Sequence, residues 1–306
     1  MGKTNKKVSP LQAGNIALFF AAGVSTIIIN GCAPNMQLVA KQTIQEANKL
    51  YEAGQYAEAY EKYSSSSAQA IEWDDATCRM ATISASAIQK DSAACLWGGR
   101  ISSFGDIETL KALSNSMERI GDNSGREKLI LSDTTSFFSI LGEQPVLCVI
   151  AKEQAKNQDK SLVVTYGRLS DAKTKAEIFD TYFKLARNSV SDKRLERECA
   201  EILKTFPGKQ SALFYLGKKK YDTAESTYVK LMSDYNKNKT QAAYAYLTRD
   251  LKKVVTPLYR ESKTYFERLR ENDSGNETYI KYLININDRL SNQAEVKRLK
   301  KLLKQQ

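Results

Sequence analysis

The sequence predicts an all-α chain of antiparallel helix pairs, and three observations carry that expectation. Small and apolar residues recur at helical spacing. Ala47, Leu50, Tyr51 and Gly54 fall at i, i+3, i+4 and i+7, and Tyr56, Ala59, Tyr60 and Tyr63 repeat the pattern. The offsets then return: Ala212, Tyr215, Leu216, Lys219, Tyr221, Ala224 and Tyr228 stand where Ala47, Leu50, Tyr51, Gly54, Tyr56, Ala59 and Tyr63 stood. Finally, only 5 Pro and 15 Gly occur in 306 residues, which suits helices joined by short turns.

Residues 1–15 are polar and carry Lys3, Lys6 and Lys7 without an acid; residues 16–29 carry no charge and lead into Asn30-Gly31-Cys32. A basic flank and a short apolar core read as a secretory signal peptide over residues 1–31. A core of 14 residues is shorter than the roughly 20 that span a bilayer as a helix. Ile29-Asn30-Gly31-Cys32 resembles the lipobox of bacterial lipoproteins, although Asn30 is a less common choice there. That resemblance implies cleavage before Cys32 and a diacylglycerol on its sulfur. Ala33 stands where Asp would retain a lipoprotein at the inner membrane, so the outer membrane is expected, with the chain facing the periplasm. Residues 33–38 are expected to be a short tether reaching on the order of 20 Å when extended. The repeat domain is expected over residues 39–306.

The break at Gly54-Gln55 turns the first two stripes into a hairpin. A small residue, then Leu and Tyr, Gly54, an aromatic two residues on, Ala three later and an aromatic four after that resembles the tetratricopeptide repeat. The resemblance implies a right-handed solenoid of helix pairs, degenerate in its middle, that binds proteins. Its repeat-seam residues are Ala47, Leu50, Gly54, Tyr56, Ala59 and Tyr63, with Ala212, Tyr215, Tyr221, Ala224 and Tyr228 in the second copy. Lys219 takes the place of Gly54, so a looser turn is expected there.

Between these copies, helices are expected over residues 73–89 and 92–101, with a small-residue seam of Ala81, Ala85 and Ile88 that lacks aromatics. Asp106 offers a side-chain cap to a helix through Ile120, closed by Gly121 to Gly125. Further helices are expected over residues 126–141, 146–157, 161–169, 172–187 and 192–206. Phe137 and Phe138 add bulk, and Phe179, Tyr182, Phe183 and Ala186 form a stripe. A helix over residues 241–255 is followed by Thr256-Pro257, read as an N-cap and first helical position. Tyr279, Leu283, Ile286 and Leu290 form the next stripe. Val296, Leu299, Leu302 and Leu303 form the last, on a polar-faced closing helix.

Formal net charge is +11, with 14 Lys or Arg against 8 Asp or Glu from Arg249 onward. Behind an export signal, that surplus points to an acidic partner or anionic lipid rather than nucleic acid. Lys297, Arg298, Lys300, Lys301 and Lys304 are the candidate basic contact face. Cys78 and Cys95 are expected as buried free thiols, because their levels along a hairpin turning at Lys90-Asp91 differ by roughly 12 Å. Pairing of Cys148 with Cys199 stays open.

No His occurs, which removes the commonest general base and metal ligand. Ser170-Asp-Ala-Lys173 lacks the companion motifs of a Ser-x-x-Lys nucleophile. The expected role is therefore a lipid-anchored adaptor or assembly factor that binds envelope proteins or peptides. No enzyme activity and no cofactor beyond the lipid are expected. A component of a barrel-assembly, secretion or peptidoglycan-turnover machine is the sharper alternative. A His-free hydrolase using carboxylates of residues 102–206 is the remote one.

Overall fold

The computed structural model describes residues 33–67 and 72–305, and every regular element among them is helical. The expected signal peptide, residues 1–31, and the expected lipidation site, Cys32, lie outside the described residues. The chain divides into two compact units, one up to Ser103 and one from Phe104 onward.

In the first unit, α1 (Ala33–Glu52) and α2 (Tyr56–Ser67) pair as a hairpin, followed by α3 (Asp75–Ala87) and α4 (Asp91–Gly98). Residues 33–38 are the first turns of α1 rather than a tether. Pro34 does not prevent this, because a missing N–H costs nothing in the first turn of a helix. Ala47 and Ala59 are fully buried, so the two backbones approach where they cross. The seam absent from the sequence reading is aromatic. Trp73, just before α3, and Trp97 on α4 lie 5.6 Å apart, and both contact Tyr63. Ala81, Ala85 and Ala94 complete this core.

The second unit opens with α5 (Ile107–Arg119), capped by the carboxylate of Asp106, which accepts from the Thr109 N–H at 2.6 Å. Next come α6 (Asn123–Ser132), α7 (Thr134–Leu141), α8 (Glu143–Lys156), α9 (Leu162–Arg168), α10 (Ala172–Ala186) and α11 (Asp192–Thr205). The single helix expected over residues 126–141 is two. Asp133 breaks it, with its side chain accepting from the Ser136 N–H at 3.1 Å to start α7. Phe179, Tyr182 and Ala186 are fully buried among Tyr166, Leu195 and Cys199.

One turn recurs. Gly54, Gln89, Gly121, Gln158 and Ser291 all have positive φ, between 52° and 76°. At each, the following amide reaches back five residues: Gln55 to Leu50, Lys90 to Ala85, Asp122 to Met117, Asp159 to Gln154 and Asn292 to Asn287, at 2.8–2.9 Å. This is a Schellman cap, which satisfies the last carbonyls of a helix and reverses the chain. The first four stand 35, 32 and 37 residues apart, close to a tetratricopeptide period.

The second copy read from the sequence departs from this rule. Residues 210–237 form one uninterrupted helix, α12 (Gln210–Lys237), so no turn exists at Lys219. Lysine favours a helix interior and resists the left-handed conformation that glycine adopts freely. Lys219 is also held by Asp192 at 2.7 Å and Glu196 at 2.6 Å, both on α11. The chain returns through α13 (Gln241–Asp250), a π-helical turn at Leu251–Val255, and α14 (Thr256–Asn272). Thr256 is inside this continuous run and caps nothing; its hydroxyl donates to the Leu251 carbonyl at 3.0 Å. The wider π turn carries the helix into Pro257, whose ring would crowd a regular one. Lys219, Val255 and Ser291 are 36 residues apart in turn, so two helix pairs of normal spacing are opened into one long hairpin.

That hairpin keeps one register throughout. The Ser262 hydroxyl donates to the Gly217 carbonyl at 2.8 Å, Tyr259 to Glu225 at 2.7 Å, and Tyr235 meets Tyr244 at 6.0 Å. Gly217 permits the crossing: a Cβ there would lie 3.0 Å from that of Tyr265 and 3.2 Å from the Phe266 ring. The chain closes with α15 (Glu277–Arg289) and α16 (Gln293–Lys304), which bury Ile280, Leu283, Ile286, Val296 and Leu299.

Substitutions at the turn positions should change stability with different signs. Gly54→Ala should cost about 1 kcal/mol and Gln89→Gly should stabilise by a similar amount, since φ there is 73° and 60°. Lys219→Gly should destabilise by about 1 kcal/mol as a helix-interior glycine. Urea unfolding followed by circular dichroism reads all three. Ala59→Leu and Ala224→Leu, both at fully buried crossings, should each cost about 1–3 kcal/mol; unchanged midpoints would show that these crossings have room to spare.

Candidate binding surfaces

The seam residues expected from the sequence fall into two settings. In the first unit Ala47, Ala59 and Tyr63 are fully buried, Leu50 and Tyr56 are half-buried, and Gly54 is exposed at its turn. The Tyr63 hydroxyl donates to Asn48 at 2.7 Å, and burial raises its pKa. In the second unit the copy lies on one helix and serves two cores. Ala212 and Tyr215 belong to the core of α8–α11, while Ala224, Tyr221 and Tyr228 belong to that of α12–α16. The two copies therefore make different surfaces from the same offsets.

A groove runs across alternate helices, α6, α8 and α10, with a volume of about 330 Å³. Leu131, on α6 and 36% exposed, and half-buried Val149, on α8, form its apolar floor. Glu127 and Lys128 on α6, Lys152 and Lys156 on α8 and Glu177 on α10 form its walls. Lys152 pairs with Glu177 at 3.3 Å across the groove. Helices juxtaposed in this way present side chains in parallel rows.

A second cleft, about 340 Å³, lies among α9, α10 and α11. Tyr166 stacks on Tyr182 at 3.8 Å, and Lys175 sits over the Tyr166 ring at 5.5 Å. Burial pushes the carboxyl of Glu198 upward, with Lys175 opposing. Its oxygens are taken by the Tyr182 hydroxyl and by Arg194 at 2.9 Å. The other carboxylate of the cleft, Glu201, pairs with Lys204 at 2.7 Å. Both acids available to carboxylate chemistry here are thus engaged in contacts within the protein.

The cysteines separate by burial. Cys78 and Cys199 are buried free thiols, and burial pushes Cys199 up to about 12. Cys148 is a free thiol, and it and Cys95 are half-buried, so the expectation of a buried thiol holds for Cys78 and fails for Cys95. Among the described residues no group of three or more His, Cys, Asp or Glu could hold a metal ion, and no helix is long and apolar enough to cross a membrane.

The residues of the expected basic contact face lie on α16. Lys297, Lys300, Lys301 and Lys304 are exposed, and no ion pair forms at them among the described residues. Arg298 departs from the reading, because it is neutralised by Glu295 at 2.6 Å on its own helix. At the base of the long hairpin, Glu225 ties three helices together. It accepts from Tyr259 on α14 at 2.7 Å and from Nε and Nη2 of Arg289 on α15 at 2.9 and 2.8 Å, and Arg289 covers the Tyr228 ring at 4.3 Å. This node was not legible from spacing, since its members are 34 and 64 residues apart.

Hydrogen bonding by Arg289 holds the Glu225 carboxyl below its ordinary range. A carboxyl lowered on folding stabilises the protein above the unfolded value of about 4.3 and loses that contribution as pH falls through the folded value. Glu225→Gln should therefore lower the melting temperature at pH 7, and the difference from wild type should shrink below about pH 4. A difference that is flat with pH would assign the node no electrostatic role.

No protein-family description matches the chain, and no curated protein does. Among the solved structures that match it is the crystal structure of a tetratricopeptide-repeat protein from Bacteroides fragilis, at 15% identity, covering 81% of this chain and 98% of that one with a TM-score of 0.30.

Proposed function

We propose that this chain is a protein-binding scaffold tethered by lipid to the bacterial outer membrane, where it faces the periplasm. The observation that carries the binding role is the groove across α6, α8 and α10, whose floor is apolar and whose walls carry both charges. Helices that pack mainly on their neighbours in sequence leave such rows uncovered, and repeat proteins use them to hold partners. An envelope protein or peptide segment with apolar residues flanked by both charges is the fitting occupant. Adaptor and assembly-factor roles both follow from that chemistry. Service in a barrel-assembly, secretion or peptidoglycan-turnover machine is the narrower version.

The tether rests on the sequence before Cys32. Cys32→Ser should abolish labelling by a radioactive fatty acid, and globomycin should cause a precursor carrying residues 1–31 to accumulate. Wild type that takes up no label would remove the lipid from this reading and leave the groove untouched. For the groove, a photo-crosslinking residue at Leu131 should capture envelope partners in living cells. Val149→Lys in the same chain should reduce that yield about tenfold, the effect of losing an apolar contact at an interface centre. Equal capture from a crosslinker at Val164, which is 69% exposed outside the groove, would overturn the assignment.

A further inference from the structure

The opened hairpin projects an arm. The end of α12 runs beside α13 and the π turn, and Leu247 is the buried residue of α13. Leu231, Leu251 and Val255 turn to the core of α12–α16, while other large apolar side chains of the arm are exposed. Val229 and Tyr246 are 59% exposed, Tyr244 57% and Val254 47%. Cations surround them. Lys237 is paired with Asp234 and Arg249 with Asp250, which uses both acids of the arm. Lys230, Lys239, Lys252 and Lys253 remain exposed, without an ion pair among the described residues.

We infer that this arm docks on an anionic phospholipid surface. Three features select lipid over an acidic protein segment. First, the unpaired cations are all lysines, flexible point charges suited to a diffuse field of headgroups. Recognition of fixed carboxylates favours the arginine fork, and the one arginine here is committed to Asp250 and to the Tyr246 ring at 4.9 Å. Second, the exposed aromatic residues are tyrosines, whose rings and hydroxyls suit the headgroup level of a bilayer. Third, Val229, Tyr246 and Val254 are open to solvent, and Tyr244 is more than half exposed beside its ring contact with Tyr235. A hollow beside them, near Val229 and Met232, is lined by α12 alone and offers no walls to a peptide. Lysines near an anionic leaflet attract it over about a Debye length, and the valines and tyrosines then enter the interface.

Hydrogen–deuterium exchange of the full chain tests this on vesicles of phosphatidylcholine, with and without 40% phosphatidylglycerol. Amides of α13 and of residues 229–237 should exchange about tenfold more slowly on the anionic vesicles, and 0.5 M salt should remove the difference. Lys252→Glu with Lys253→Glu should abolish it, and Tyr244→Ser with Tyr246→Ser should reduce it, with circular dichroism unchanged in both. Equal exchange on the two vesicle types would overturn the proposal. Protection by added polyglutamate but not by vesicles would overturn it in favour of an acidic protein partner. Vesicle charge is varied and tethering is constant, so failure of Cys32 to carry lipid leaves this readout intact.

Discussion

A single backbone constraint shapes most of this molecule: the left-handed residue that ends the first helix of a pair. Gly54, Gln89, Gly121, Gln158 and Ser291 occupy it, and at each the chain reverses within a few residues. Only glycine adopts that conformation without cost; the two glutamines and the serine adopt it against a preference of about 1–2 kcal/mol. Packing must supply that energy, through cores of small residues and rings on either side of the turn. Where the constraint is missing, at Lys219, the helix simply continues. The long hairpin and its exposed arm follow from that one difference.

Close approach of backbones is the second theme, and it is met by different residues in the two units. Ala47 and Ala59 allow it in the first unit, beneath a cluster of two tryptophans and two tyrosines. In the second it is Gly217, against which Phe266 and Tyr265 rest, with the Ser262 hydroxyl closing the gap to the Gly217 carbonyl. A buried hydroxyl without an acceptor would be costly, so this bond also fixes the rotation of α14 about its axis.

Helical class and most helix positions were legible because apolar period and side-chain caps are local signals. Asp106 caps α5 within three residues of its partner and was read as such, whereas the equally local cap of Asp133 on α7 lay inside an apolar stripe that looked continuous. The turn at Gly54 was legible because glycine advertises a left-handed residue, whereas Gln89, Gln158 and Ser291 do not. The offsets around Lys219 misled because a stripe at 3 and 4 residues looks the same whether the helix breaks or runs on. The residues of the groove could not be named from the sequence: Leu131, Val149 and Glu177 line it from helices that sequence spacing does not align. The arm escaped for a related reason, since its exposed tyrosines fit an apolar stripe as well as a surface.

The fusion of two pairs into α12 also bears on how the second unit can come apart. Arrays of separate repeats unfold locally, because each pair touches only its neighbours. Here one rigid helix places Ala212 and Leu216 in the core of α8–α11, and Leu213 and Ala224 in the core of α12–α16. Neither core can open by loosening α12 without exposing part of the other. The expected hierarchy of small independent openings is thereby replaced, over this stretch, by a single cooperative block that makes the second half of the chain melt as one.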